Sequence, residues 1–134
     1  MRRVDDEEFS FERLEVWQKA FDFSDRLYTL TRSFPREEMF GLTNQLRRGS
    51  VSVAANIAEG AWRESGKDRA RFYEIATMLR LACRQRFIPD DLLPELRREI
   101  GDMCRMLSGL KREALVRSHS TLHTPHSTLN KAEP

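Results

Sequence analysis

Residues 41–76 read GLTNQLRRGS VSVAANIAEG AWRESGKDRA RFYEIA, and this stretch decides the fold. Leu42, Leu46, Val53 and Ile57 recur at helical spacing, flanked by the small residues Gly49, Ser50, Ala54 and Ala61. That line predicts the buried stripe of an amphipathic helix over residues 38–63. Small side chains beside it let a neighbouring helix approach closely. A second line is polar: Gln45, Arg48, Ser52, Asn56, Glu59 and Arg63 step by three or four residues and leave from one side. The apolar line requires partner helices. The polar line sets one face aside for something other than a core.

Partners are found on both sides. Upstream, a helix is predicted over residues 12–33. Its apolar residues, from Leu14, Val16 and Trp17 through Phe21 and Phe23 to Leu27, Tyr28 and Leu30, cover about half its circumference, wider than the ~100° stripe that one core requires. Pro35 ends it, because proline disfavours helical geometry in the preceding Phe34. Downstream, Phe72, Ile75, Leu79, Ala82 and Cys83 give the inner face of a third helix over residues 67–87. Pro89 with Asp90 and Asp91 opens a fourth, whose seam is Leu93, Leu96, Ile100, Met103, Leu107 and Leu110. The fourth helix is expected to end near Leu115. The expected organisation is a flexible arm over residues 1–10, a bundle over 11–115 and a disordered tail over 116–134. No strand pattern competes, so the predicted fold is all-α, an up-and-down four-helix bundle.

Composition narrows the function classes. The chain has 134 residues, 40% hydrophobic and 33% charged, enough for one domain with its own core. The net charge is only +2, yet the cations are nearly all arginine, the better clamp for phosphate and carboxylate. Two cysteines, Cys83 and Cys104, fit free thiols in a reducing compartment. There is no apolar run of ~20 residues for a membrane span, and no signal-peptide pattern at the N-terminus. A cytoplasmic protein without membrane contact is expected. No phosphate loop, dinucleotide fingerprint, nucleophile elbow or zinc pattern occurs, so no cofactor and no enzyme activity are expected.

Three segments, taken in order, carry a resemblance: FERLEVWQKA, then FPREEMFGLTNQLRRGSVSVAANIAEG, then DRARFYEIA. Across about residues 11–76 the chain resembles the bacterial four-helix-bundle family of 23S ribosomal RNA intervening-sequence proteins. The accessory variability protein of diversity-generating retroelements is related to that family. The resemblance implies a four-helix bundle, a ring-shaped homopentamer and a basic surface for nucleic acid, without established enzyme activity. Two departures stand out. Ala54 occupies a position where the family usually has proline, and the third helix is shorter by roughly two turns.

The candidate contacts for RNA or DNA are Arg47, Arg48, Arg63, Lys67 and Arg71, with Arg69 beside them. Such a cluster tracks phosphates without reading sequence. The competing reading is a solvated face whose arginines pair with Glu59, Glu64, Asp68 and Glu74. Gln45, Ser52, Asn56 and Glu59 are expected at an interface, with Asn56 and Glu59 fixing register through Arg48 or Arg63. One carboxylate without a nucleophile or second acid is a poor catalytic set. Trp62, beside Arg63, is the better candidate for an exposed aromatic contact, and Trp17 for a packing anchor. Among His119, His123 and His126, i, i+4 spacing can place two imidazoles together on a helix, but the surrounding Ser, Thr and Pro125 argue against a helix there, so a mobile tail without a metal site is expected. Subunits of the expected ring would meet through the first helix and the small-residue face of the second. The alternative function is a protein–protein interaction module with no nucleic-acid role.

Overall fold

The computed structural model describes residues 8–63 and 66–125, with side chains as far as Ser118. Four helices carry the fold: α1 (Glu15–Thr31), α2 (Leu42–Glu59), α3 (Lys67–Arg84) and α4 (Leu93–Pro125). Among the described residues there is no strand. Each helix packs on the next, and α4 returns to α1, closing an up-and-down bundle.

The predicted apolar lines meet in one core. Leu46, Val53, Ile57, Phe72, Ile75, Leu79, Leu96, Ile100, Met103 and Leu107 are all buried, joined by Val16, Ala20, Phe23 and Leu27 from α1. Leu42 is half-buried at the edge of the cluster. The small residues of α2 are spent inside the protomer, which corrects their expected place at a subunit interface. Gly49 faces Ile75 of α3, where an added Cβ would lie 3.4 Å from the Ile75 side chain. Ser50 hydrogen-bonds Ser24 of α1 at 3.0 Å, both buried. Ala54 is buried as well, and only Ala61 of the set is exposed.

Helix ends follow local chemistry. α2 begins at Gly41, and its Leu42 N–H donates to Glu38 Oε1 at 3.2 Å, so a carboxylate meets one of the orphan donors of the first turn. It ends at Gly60, which has φ +78°. α3 ends in a Schellman motif: the Phe87 N–H donates to the Ala82 carbonyl at 2.8 Å and the Arg86 N–H to the Cys83 carbonyl at 3.0 Å. Arg86 takes the left-handed position, φ 66°, that glycine usually fills. Phe87 then packs on Phe34 with ring centroids 5.3 Å apart, tying the α3–α4 link to the α1–α2 link. This stop ends α3 at Arg84, three residues before the expected end at Phe87.

α4 differs most from expectation. It does not stop near Leu115 but runs 33 residues to Pro125, against 17 or 18 in each other helix. The first ten residues of the expected tail are therefore helical. Residues 126–134, including His126, and the first seven residues of the expected arm lie outside the described residues, as do the His119 and His123 side chains. Residues Ser10–Arg13 of the arm and its junction form a 3-10 turn. No helix among the described residues is long and apolar enough to cross a membrane.

Candidate nucleic-acid interface

The five predicted cations do not act alike. Arg47 turns toward α1: its Nε donates to Thr31 Oγ1 at 2.8 Å and its guanidinium lies 4.7 Å from the Tyr28 ring centroid. Thr31 in turn donates to the Leu27 carbonyl at 2.7 Å. Arg47 thus belongs to the α1–α2 contact. Arg71 is half-buried and lies 4.0 Å from Glu74, one turn along α3. Arg48, Arg63 and Lys67 are exposed. The Arg63 guanidinium sits 4.8 Å from the centroid of Trp62, but Trp62 is only 6% exposed. The expectation of Trp62 as an exposed aromatic contact is therefore corrected: it is a core residue with a cation over its ring.

The polar stripe of α2 faces outward. Gln45 and Glu59 are exposed, and Ser52 and Asn56 are half-buried. Among the described residues no hydrogen bond or ion pair joins Asn56 or Glu59 to Arg48 or Arg63, so the expected register network does not form within the protomer.

A second basic surface escaped sequence reasoning. A groove of about 670 Å³ runs between α3 and α4, with Arg69, Tyr73, Arg97, Arg105 and Arg112 along its sides. A smaller depression of about 450 Å³ adjoins it through the shared Ala76 and Arg97 and adds Arg80 and Arg84. Two stripes meet here. On α3 it is Arg69, Tyr73, Ala76, Arg80 and Arg84; on the antiparallel α4 it is Arg97, Gly101, Arg105, Ser108 and Arg112. Both step by three or four residues and are visible in the sequence. Their juxtaposition is a tertiary fact, which no single-helix pattern contains. Small Ala76 and Gly101 leave the groove open between the arginines.

No carboxylate lines either part of the groove. Asp102 pairs with Arg105 from the side, and Arg69 donates to Ser108 Oγ at 3.2 Å across the helices. The Tyr73 phenol favours the charged form of Arg69 further. Nearby acids are engaged elsewhere. Asp68, 8% exposed, meets Lys111 at 3.6 Å, and Glu95 meets Arg26 at 2.8 Å, with Glu99 on the same guanidinium.

The displaced pKa values describe structure rather than acid–base chemistry. Burial pushes the Glu99 carboxyl up, and Arg26 only partly opposes it. Burial likewise raises the Cys83 and Cys104 thiols, keeping them protonated and weakly nucleophilic. Among the described residues no group of His, Cys, Asp and Glu could hold a metal ion.

Comparison with curated proteins returned no match. A family model described as 23S rRNA-intervening sequence protein matches residues 12–109. The match runs from the turn before α1 through the last fully buried residues of α4, well beyond the segment in which the resemblance is visible by eye. With about three quarters of its length, including α1, α2, α3 and the packed first half of α4, inside that model, the chain belongs to the 23S rRNA-intervening sequence protein family.

Proposed function

We propose that this protein is a non-enzymatic oligomeric scaffold that binds nucleic acid through arginine contacts to phosphate, without reading sequence. One observation carries the proposal: positive charge is concentrated on part of the fold. Residues 42–86 hold nine basic and four acidic residues, while the whole chain is only +2. The remainder is therefore net acidic. The low overall charge hides a basic segment through α2 and α3, and screening over about 8–10 Å lets it act despite distant acids. Arg48, Arg63 and Lys67 on the outer surface, together with the groove arginines, are the proposed contacts. The family's name, which refers to ribosomal RNA, is in keeping with this reading.

A second observation favours self-association. Phe9, Phe11, Trp17 and Phe21 form a ladder of ring contacts 5.2–5.7 Å apart. Phe9 is 69% and Phe21 54% exposed. Aromatic area of this kind is characteristic of buried interface cores. We place the contact between subunits of a cyclic homo-oligomer, a pentamer, on this ladder, with the outward stripe of Gln45, Ser52, Asn56 and Glu59 opposite it in the neighbour. Closed symmetry leaves no unpaired sticky face.

Light scattering and a nucleic-acid titration test the two parts. The expected mass is that of five chains, falling for Trp17→Ala/Phe21→Ala. Affinity for RNA or DNA of unrelated sequences should be similar and should fall steeply with salt. A pentamer that binds no nucleic acid at low salt would leave the protein-interaction module as the function. A monomeric mass at micromolar concentration would remove the ring.

A further inference from the structure

We propose that the groove between α3 and α4 is a track for single-stranded nucleic acid, with phosphates held by its arginines and a base stacked on Tyr73. The inference rests on the nucleic-acid reading above and narrows it to one site and one strand class.

Three features of the groove select that occupant. The first is charge. Arg69, Arg80, Arg84, Arg97, Arg105 and Arg112 line two adjoining depressions that share Ala76 and Arg97, and only Arg105 has a carboxylate partner among the described residues. Like charges gathered in a concave site repel one another, and the site's field favours an anion that spans several of them. From Arg69 to Arg84 the α3 side extends roughly 22 Å at a helix rise of about 1.5 Å per residue. That length suits a polyanion better than a single small anion.

The second feature is an aromatic face. Tyr73 is 59% exposed on the groove's wall, one turn from Arg69. Its ring is outside the core, and its phenol lies beside Arg69. Stacking on aromatic rings and tracking phosphates with cations is how sequence-tolerant single-strand sites work. A duplex keeps its bases paired and stacked and offers no base face to Tyr73. An acidic peptide offers charge but no flat rings.

The third feature is shape. The groove is a channel between adjacent helices, floored by Ala76, Ile100 and Gly101. Gly101 has no side chain to rise into it, and the Arg105 guanidinium lies 3.4 Å from where its Cβ would be. Small Ala76, the Gly101 backbone and the edge of Ile100 thus form the floor, and guanidinia form the rim.

The groove supplies its own reporter in the half-buried Cys104, while Cys83 is buried in the core. The test uses fluorescence anisotropy of a labelled oligouridylate of about 12 nucleotides, a hairpin duplex of equal length, and iodoacetamide labelling of Cys104. Wild type should bind the single strand, and bound strand should slow Cys104 alkylation. Arg97→Ala/Arg105→Ala should weaken binding about tenfold or more, and the slope of log affinity against log salt should fall by about 0.7 for each phosphate no longer neutralised. Tyr73→Ala should weaken the single strand roughly tenfold and leave the hairpin unchanged. Tyr73 is exposed, and protection of Cys104 is read in the wild type, so two arms do not depend on the double variant folding.

The failures are separable. If wild type binds neither probe at low salt, the nucleic-acid reading falls and the track with it. If wild type binds but Cys104 alkylates at the same rate, or Tyr73→Ala is indifferent, the track is overturned. The nucleic-acid reading then stays with Arg48, Arg63 and Lys67. Polyglutamate that protects Cys104 as well as the oligonucleotide does would assign the groove to acidic peptide instead.

Discussion

Ser24 and Ser50 share a buried hydrogen bond of 3.0 Å between α1 and α2, and Ser50 Oγ also lies 3.0 Å from the Arg47 carbonyl. Two hydroxyls at a helix crossing hold the backbones close while satisfying each other. Replacing Ser50 with valine should cost about 1–3 kcal/mol through overpacking, with Ser24 left unpaired. Ser24→Ala should cost less, about 0.5–1.5 kcal/mol, because Ser50 keeps the Arg47 carbonyl. Urea denaturation of both variants checks the order, and a neutral Ser50→Val would mean that this crossing has slack.

The two left-handed positions among the described residues should respond in opposite directions. Gly60 has φ +78°, and a Cβ there would meet Arg63 Nη1 at 2.7 Å. Gly60→Ala should destabilise by about 1–2 kcal/mol, most of it backbone strain because the Arg63 end can move. Arg86 already carries that strain at φ 66°. Arg86→Gly should stabilise by about 0.5–1 kcal/mol, the gain reduced by the freedom glycine gives the unfolded chain. Thermal melts of the pair decide it.

Arg47 and Arg48 are adjacent in sequence but differ in role. Arg47→Ala loses the Thr31 hydrogen bond and the Tyr28 ring contact and should cost about 1–2 kcal/mol of stability. Arg48→Ala should leave stability within about 0.5 kcal/mol, as for other exposed positions without a packing role, and should weaken nucleic-acid binding instead. Chemical denaturation and a titration on the same two proteins separate the effects.

Glu99 sets a pH dependence of unusual sign. Its carboxyl is raised on folding because burial opposes the charged form. The folded state therefore holds this proton more tightly than the unfolded chain does. The associated stabilisation is full below the ordinary carboxylate range and declines as pH rises through the raised value. Between neutral pH and about pH 4, the region where free glutamate titrates, wild type should gain on Glu99→Gln as the solution is acidified. Urea midpoints of both proteins at each end of that range measure the difference. A gap independent of pH would mean that Arg26 cancels the burial effect.

Much of the architecture is legible in the chain because it is written in one-dimensional periods. Leu96, Ile100, Met103 and Leu107 announce a core seam, and Pro35 and Pro89 announce the breaks between α1 and α2 and between α3 and α4. The small residues of α2 are legible as close-contact positions, but not their partners. Whether Gly49 and Ser50 meet Ile75 and Ser24 or another subunit depends on how helices pair. The same gap hides the groove. Arg97, Arg105 and Arg112 form a plain stripe, yet it becomes a site only when Arg69, Tyr73 and Arg84 are set across from it. Trp62 misleads for the reverse reason, since a charged neighbour in sequence says little about burial. The Schellman stop at Arg86 lacks its usual glycine and leaves no local mark.

α4 is continuous in geometry but divided in energy. Its first half is locked by Leu96, Ile100, Met103 and Leu107, whereas Leu115, Val116, Arg117 and Ser118 are exposed. Beyond Ala114 the helix is sustained by its own hydrogen bonds and by local pairs such as Glu113–Arg117 at 3.6 Å. A lone stretch of that length is marginal in water. Amide protons near Met103 should exchange with deuterium only through global unfolding, while those near Arg117 should exchange through local fraying at a small fraction of that free energy. One unbroken rod thus contains a rigid part of about two thirds of its length and a final third that melts and reforms many times for each unfolding of the whole.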